Sequence, residues 1–367
     1  MESVDFWSLI LRGINRLAWK VLRHVPVGVW RRIFPKTTLA ICYHMVSDTE
    51  IPHLKHYARL SATQFEADLI YLRNKFGFIS YDEIVRRRSE GSNIRDNVVL
   101  LTFDDGFAEC ATVVPKILLR YQASCIFFVI TDLLDNRVMF RETKASLCID
   151  AILRSPPERT EKIVHKLGLE RNLRSLSKER SRSPGFSLEV ANLGSDPDPR
   201  LRPLLDWLLT ISDGQVPLLD QLCDQLGIDV QGYLLKARPY LTSDQVRRLR
   251  LDGFTIGAHS QSHRLLQNLS PDETEREIVE SCRIVRDLTG QQSVPFAFPY
   301  FGAGLDRTWL AQLRKSHEFV GLFFDTGGLC PDAPFVVQRI FGERSIRDSS
   351  IDSVLRKEWA SRKAWRQ

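Results

Sequence analysis

Seven cysteines stand in 367 residues, and no two of them form a Cys-x-x-Cys pair. That count and spacing exclude a disulfide-framework domain. Several sit inside apolar runs, as in "AICYH" and "ASCIFFVI", where a thiol serves as a small hydrophobe in a reducing compartment. Also missing is an uninterrupted run of ~20 apolar residues, so no stretch reads as a spanning helix. Charge of one sign is scarce, the net balance being only +6. With no aromatic-interleaved basic stripe beside it, nucleic acid is excluded as a partner. No internal repeat or extended low-complexity tract is visible. What remains is a globular composition, 43% hydrophobic and 26% charged, long enough for one large barrel-like domain or two ordinary ones.

The positive charge gathers at the start. Residues 1–36 hold only two acids, Glu2 and Asp5. From Phe6 to Val25 apolar positions recur at helical spacing, interrupted by Arg12, Arg16, Lys20 and Arg23. No uncharged apolar stretch with a small-residue cleavage site follows, so a signal peptide is not expected. Two readings stand. One is a basic amphipathic helix lying on an anionic membrane surface; the other is a helix packed on the domain by its apolar face. The expected location is cytoplasmic, with peripheral contact at the inner membrane face under the first reading.

Six short runs recur at 38–45, 97–105, 123–130, 254–260, 295–300 and 319–325. They are apolar nearly throughout, which predicts strands buried on both faces of a parallel sheet. Helices are predicted between them. Ser61 with Gln64, Thr242 with Gln245, and Ser270 with Glu273 stand at capping-box spacing. Pro271 suits the first position of its helix, and Gly253 and Gly290 suit the stops. Strand and helix in alternation mean an α/β architecture, open sheet or barrel. Residues 141–237 break the rhythm, with Ser/Arg/Pro-rich stretches between helical patches such as "LLDWLLTI". They read as a helical insertion with flexible segments.

One run ends in "LTFDDG", which sets Asp104 beside Asp105. Adjacent carboxylates repel, and each raises the pKa of the other. A solvated turn or a nearby cation must compensate. Strand ends of this kind are where loops build active sites in α/β sheets and barrels. Past another run stands "GAHSQSH", with His259 and His263 four apart and predicted to share one side of a helical turn. Two imidazoles and one carboxylate leave open positions on a zinc ion, the arrangement of a catalytic site. Ser260 follows His259 where a His-Glu-x-x-His motif has its glutamate base, so the base must come from elsewhere. The spare carboxylate of the pair can supply it. Singly, each motif has a plainer explanation, a turn or a surface pair; together, each at a strand end, they favour a site.

"TFDDG", "HSQSH" and "FAFPYFG" in this order resemble the polysaccharide deacetylase family, the carbohydrate esterases that share the NodB homology domain. The likeness spans roughly 38–140 and 238–345, and "ICYHMVSD" with "VVQRIF" resembles its exopolysaccharide-type branch. The resemblance implies a distorted (β/α) barrel over 37–140 and 238–347. Around it lie the basic segment 1–36, the helical insertion 141–237 and a C-terminal basic helix over 348–367. It implies metal-dependent removal of an N-acetyl or other N-acyl group from an amino sugar, with Zn²⁺ or another divalent ion as cofactor. Asp105, His259 and His263 are then the metal ligands, and Asp104 is the base toward a metal-bound water. Pro299, Tyr300 and Phe301 line the substrate groove, with the Tyr300 N–H joining the oxyanion site.

The chain departs from the broad family pattern twice. Ala297 stands where many members carry an Arg, and no C-terminal Leu-x-His motif supplies the histidine acid, His317 lying in "RKSHEF". As in the exopolysaccharide branch, His44 of the first strand is the candidate acid, and Arg339 is the candidate that orients Asp104. A core histidine and a structural ion pair are their plainer readings. His53 and His56 fall in a polar loop after the first strand and read as ordinary histidines, with reach to the groove mouth as the lesser reading. The substrate implied is an N-acylated amino-sugar glycan or a lipid-linked glycan precursor. The alternatives are a glycan-binding relative of low activity and a 2-His-1-carboxylate Fe(II) oxygenase, which uses the same ligand set.

Overall fold

The computed structural model describes residues 24–33, 39–90, 98–170, 172–173, 197–330, 332–344 and 350–360. Most of the basic segment 1–36 and the stretch "SLSKERSRSPGFS" lie outside the described residues. Nine strands form one sheet: β1 (Leu39–Tyr43), β2 (Gly77–Phe78), β3 (Val98–Phe103), β4 (Cys125–Val129), β5 (Thr255–Ala258), β6 (Val294–Ala297), β7 (Val320–Asp325), β8 (Val336–Gln338) and β9 (Ile340–Phe341). Every pairing among them is parallel. The path runs β8-β7-β6-β5-β4-β3-β1-β9, with β2 beside the start of β3.

Its two ends are neighbouring pieces of one segment. β8 pairs with β7 through Val336 and Phe323, and β9 pairs with β1 through Ile340 and Ile41. Only Arg339 separates them, so one extended segment bridges the first and seventh strands and nearly closes a (β/α) barrel. The predicted runs coincide with strands because both faces of each are covered. Ala40, Leu100, Ile126, Phe128, Leu322, Phe324 and Val337 pack in one cluster. Their neighbours Ile41, Leu101, Phe127, Ile256, Phe296 and Phe323 pack in another that includes the surrounding helices. Successive side chains of a strand point to opposite faces, so the first cluster fills the barrel and the second lies outside it. Gly257 permits this packing, since a Cβ there would meet the Phe128 ring at 2.3 Å.

The three capping boxes are formed as the spacing predicts. Ser61, Thr242 and Ser270 each accept the backbone N–H of the residue three positions on. Gly290 ends its helix in the left-handed region, at φ +69°. Helix Ile351–Ala360 buries Ile351, Leu355 and Trp359 and lies against helix Val27–Ile33. Among the described residues, no helix is long and apolar enough to cross a membrane.

Residues between β4 and β5 form a helical cluster with its own core. Ile149, Ile152, Leu205, Trp207, Leu208, Leu219 and Leu222 are its centre. A smaller apolar set, including Met45, Tyr57, Phe107, Met139, Phe140, Leu234 and Tyr240, joins this cluster to the loops at the carboxyl ends of the strands.

Candidate active site

Asp104 is the first residue past β3, and its N–H donates to the Tyr43 carbonyl at 2.9 Å, continuing the ladder to β1. Asp105 and Gly106 then both take positive φ, at 70° and 67°. Aspartate tolerates that region better than most residues, and glycine adopts it freely. A side chain at 106 would also press on Val129, 3.3 Å away. The turn therefore sends the two carboxylates to different partners.

Asp104 is fully engaged. Arg339 donates to it with both terminal nitrogens, Nη1 to Oδ1 at 2.6 Å and Nη2 to Oδ2 at 2.8 Å. Nη1 also reaches Thr102 Oγ1 at 3.1 Å, and the guanidinium lies 5.2 Å from the centre of the Phe128 ring. Cys42 Sγ sits 3.3 Å from Asp104 Oδ2. Burial pushes the Asp104 carboxyl up, but the Arg339 charge outweighs it and holds the pKa below the ordinary value. Both residues are buried.

Asp105 is the opposite case. Its Oδ1 is buried with no hydrogen-bond partner. It lies 3.5 Å from His259 Nε2 and 3.5 Å from His263 Nε2, while those two nitrogens are 3.1 Å apart. His259 Nδ1 is 2.9 Å from the Ala297 carbonyl. Since that oxygen can only accept, Nδ1 donates to it, which leaves Nε2 as the nitrogen turned toward Asp105 and His263. Burial, with His259 beside it, lowers the His263 pKa to about 3, so this imidazole is neutral. The Asp105 carboxyl is held below the usual range: burial opposes this, and the two histidines and His44 prevail. A carboxylate oxygen and two imidazole nitrogens thus converge. That arrangement fits a divalent cation of the zinc type.

The motif His259–His263 does not lie on a helix. Ser260 and His263 adopt φ of +63° and +57°, and a tight turn replaces the expected helical one. Local hydrogen bonding explains the correction. Ser260 Oγ accepts the His263 N–H at 2.8 Å, and Glu277 accepts the N–H groups of Gln261 and Ser262 at 2.8 and 3.0 Å. The two imidazoles still meet, because the turn folds them together.

His44 stands half-buried just past β1. Glu343 accepts its backbone N–H and lies 3.2 Å from its Nδ1. A ring nitrogen of His44, Cys42 Sγ and an Asp104 oxygen all fall within 4.8 Å of one another. Burial alone would depress this imidazole, but Glu343, with Asp105 and Asp104 adding, lifts its pKa to about 9. Pro299 is buried, Tyr300 half-buried and Phe301 44% exposed in the loop past β6. Tyr300 has φ +59°, and its ring stands edge-on to His263 with centroids 4.8 Å apart. His53 and His56 are both buried, which removes the lesser reading that set them at the groove mouth. His53 Nδ1 pairs with the Tyr233 hydroxyl at 2.8 Å, and the His56 N–H donates to Ser146 Oγ at 2.9 Å. The apolar contacts of the helical cluster close over that loop.

Three participants escape local sequence patterns. Glu343 faces His44 across 299 positions. Arg141 and Glu142 both reach the Tyr300 hydroxyl from the helical cluster. Nothing in "FGER" or "FRET" distinguishes these residues from surface charges; only "VVQRIF" gave a signal, for Arg339.

The fold and site define a barrel with a candidate hydrolytic centre at the carboxyl end of its strands. Residues 206–327, which contain His259, His263, Pro299 and Tyr300, match the family model for polysaccharide deacetylases. An uncharacterised 30.6 kDa protein of Geobacillus stearothermophilus is 33% identical over 95 residues. That match takes in 26% of this chain and 34% of the relative, so the chain spans about a third of the relative's length. Among solved structures, the Streptococcus pyogenes deacetylase PplD in complex with acetate aligns at TM-score 0.49 and 15% identity, over 84% of this chain and 92% of its own. IcaB from Ammonifex degensii aligns at 0.48 and 15%, over 89% and 97%.

Proposed function

We propose that the chain hydrolyses the amide of an N-acylated amino sugar in a polysaccharide or glycan precursor, with a divalent metal ion as cofactor. One observation carries the reading: a carboxylate oxygen and two imidazole nitrogens that could hold a metal ion converge beside a carboxylate that an arginine holds ionised. Asp105, His259 and His263 would hold the ion. When bound, it supplies Lewis acidity toward the acyl oxygen and lowers the pKa of water.

The chain's own residues account for the proton transfers. Asp104, held ionised and oriented by the Arg339 fork, accepts a proton from the attacking water. The Tyr300 N–H faces the acyl oxygen as negative charge develops there. His44, charged at neutral pH beside Glu343, gives a proton to the leaving amine. Phe301 offers an exposed ring to the sugar at the groove mouth. The Arg339 pair takes the place of the arginine that Ala297 lacks. The resemblance of "ICYHMVSD" and "VVQRIF" to the exopolysaccharide branch supports a glycan of that class.

The test is acetate or formate release from N-acetylated and N-formylated glucosamine oligomers by zinc-loaded protein. Release that requires the metal is expected. Bound zinc with no release from any N-acyl sugar would remove the hydrolase reading and leave a glycan-binding relative. Iron at the site, with oxygen consumption, would put the oxygenase alternative in its place.

A further inference from the structure

The helical cluster enters the site at one point. Helix Arg141–Leu153 begins directly after Phe140, whose ring stands edge-on to His263 at 4.7 Å. The next two side chains, Arg141 and Glu142, flank the Tyr300 hydroxyl: the guanidinium donates to it, and it donates to the carboxylate. Arg141 Nε also holds Glu142 Oε1 at 3.0 Å, and its Nη1 binds Asp213 at the far side of the cluster. Its Cζ lies 5.5 Å from the centre of the Tyr300 ring.

We propose that Arg141 and Glu142 are positioning residues for Tyr300, so that the helical insertion is a working part of the site. The inference rests on the reading above, in which the Tyr300 N–H faces the acyl oxygen. Two features carry it. Tyr300 has a positive φ, which is strained for a non-glycine residue and persists only when its surroundings enforce it. The enforcement comes from both ends of the residue. Thr326 Oγ1 donates to its carbonyl at 2.7 Å, and the Arg141–Glu142 pair grips its hydroxyl. The second feature is that the polar group is a poor stabiliser of the fold. Buried ion pairs seldom outdo apolar packing, and Glu142 Oε2 is buried without a partner. Its value lies in fixing where Tyr300 points.

A double-mutant cycle tests this on the zinc-loaded full chain. Arg141→Ala and Tyr300→Phe should each lower kcat for acyl release by on the order of 10²-fold, the cost of a misplaced group, with KM little changed. The double variant should be no slower than either single, because both remove the same hydroxyl contact. Glu142→Gln keeps an acceptor for the hydroxyl and should recover most of the rate that Glu142→Ala loses. Melting temperatures of all variants separate misfolding from misplacement. The same cycle read on acetate affinity, by calorimetry, does not depend on turnover. Additive losses in an active wild type, or in its acetate affinity, would overturn the positioning role and leave the hydrolase reading intact. A zinc-loaded wild type that neither releases acyl groups nor binds acetate would overturn that reading and this inference with it.

Discussion

Asp104 and Asp105 are neighbours in the chain and opposites in the site. The side built by β1, β3 and β9 pairs its acids with bases: Arg339 takes both oxygens of Asp104, and Glu343 takes His44. The side built by the β5 loop brings Asp105 Oδ1, His259 Nε2 and His263 Nε2 within 3.5 Å of one another, and Asp105 Oδ1 is buried without a hydrogen-bond partner. A saturated carboxylate is fixed in protonation and direction, which suits a base. An unsatisfied buried one is costly unless something outside the chain completes it. The difference is what supports separate proposed roles for two residues that composition cannot tell apart.

The comparison breaks most completely at His263. His263→Ala removes one of three donors and should lose bound zinc and acyl-release activity together, as read by elemental analysis of purified protein beside wild type. Wild-type zinc content in His263→Ala would mean that the donor atoms converge for another reason. Asp104→Asn acts on the other side. It should keep about one zinc per chain and lower kcat by ~10²–10⁴-fold, the usual contribution of a general base. Because it leaves Arg339 buried and uncompensated, it should also lower the melting temperature; removing one partner of a buried pair costs ~3–5 kcal/mol. Equal turnover in Asp104→Asn and wild type would end the base assignment.

How much of this was legible depended on distance along the chain. Apolar runs marked six of the nine strands, and "VVQRIF" covers two more, because burial on both faces leaves a local trace. The two-residue β2 left none. Capping boxes span three residues and were readable for the same reason. The motif spacing brought Asp105, His259 and His263 to one point, yet the turn that joins the histidines was misread as helical. A four-residue spacing fits both, and the deciding groups, Ser260 Oγ and Glu277, act through hydrogen bonds that periodicity does not record. Arg141 meets Tyr300 across 159 positions, and no local pattern encodes such a meeting.

A smaller effect concerns pH and sharpens the saturated side. With its pKa raised to about 9, His44 carries its proton through neutrality and loses it only above that value. Acyl release should therefore persist to about pH 9 and fall beyond it. The same shift stabilises the fold: the contribution is complete below the unfolded value of 6.5 and fades as pH rises through 9. Glu343→Gln removes the nearest of the three carboxylates facing His44, the others being Asp104 and Asp105. It should move the alkaline limb of kcat toward neutrality with zinc content unchanged. An unmoved limb would show that another group supplies the acid.

The smallest expected effect lies behind the open side. Glu277, on helix Pro271–Thr289, accepts from the N–H groups of Gln261 and Ser262 and from the Ser262 hydroxyl. It thereby holds the strained turn that carries His263. Glu277→Gln can keep both backbone bonds on its amide oxygen while losing the charge, whereas Glu277→Ala loses all three. Zinc affinity should fall by ~10-fold or less in the first and toward ~100-fold in the second, the range for groups that orient metal ligands. Competition with a chromophoric chelator measures both. If the turn were rigid without this carboxylate, both variants would bind zinc as wild type does, and the convergence of the histidines would be a property of the loop alone.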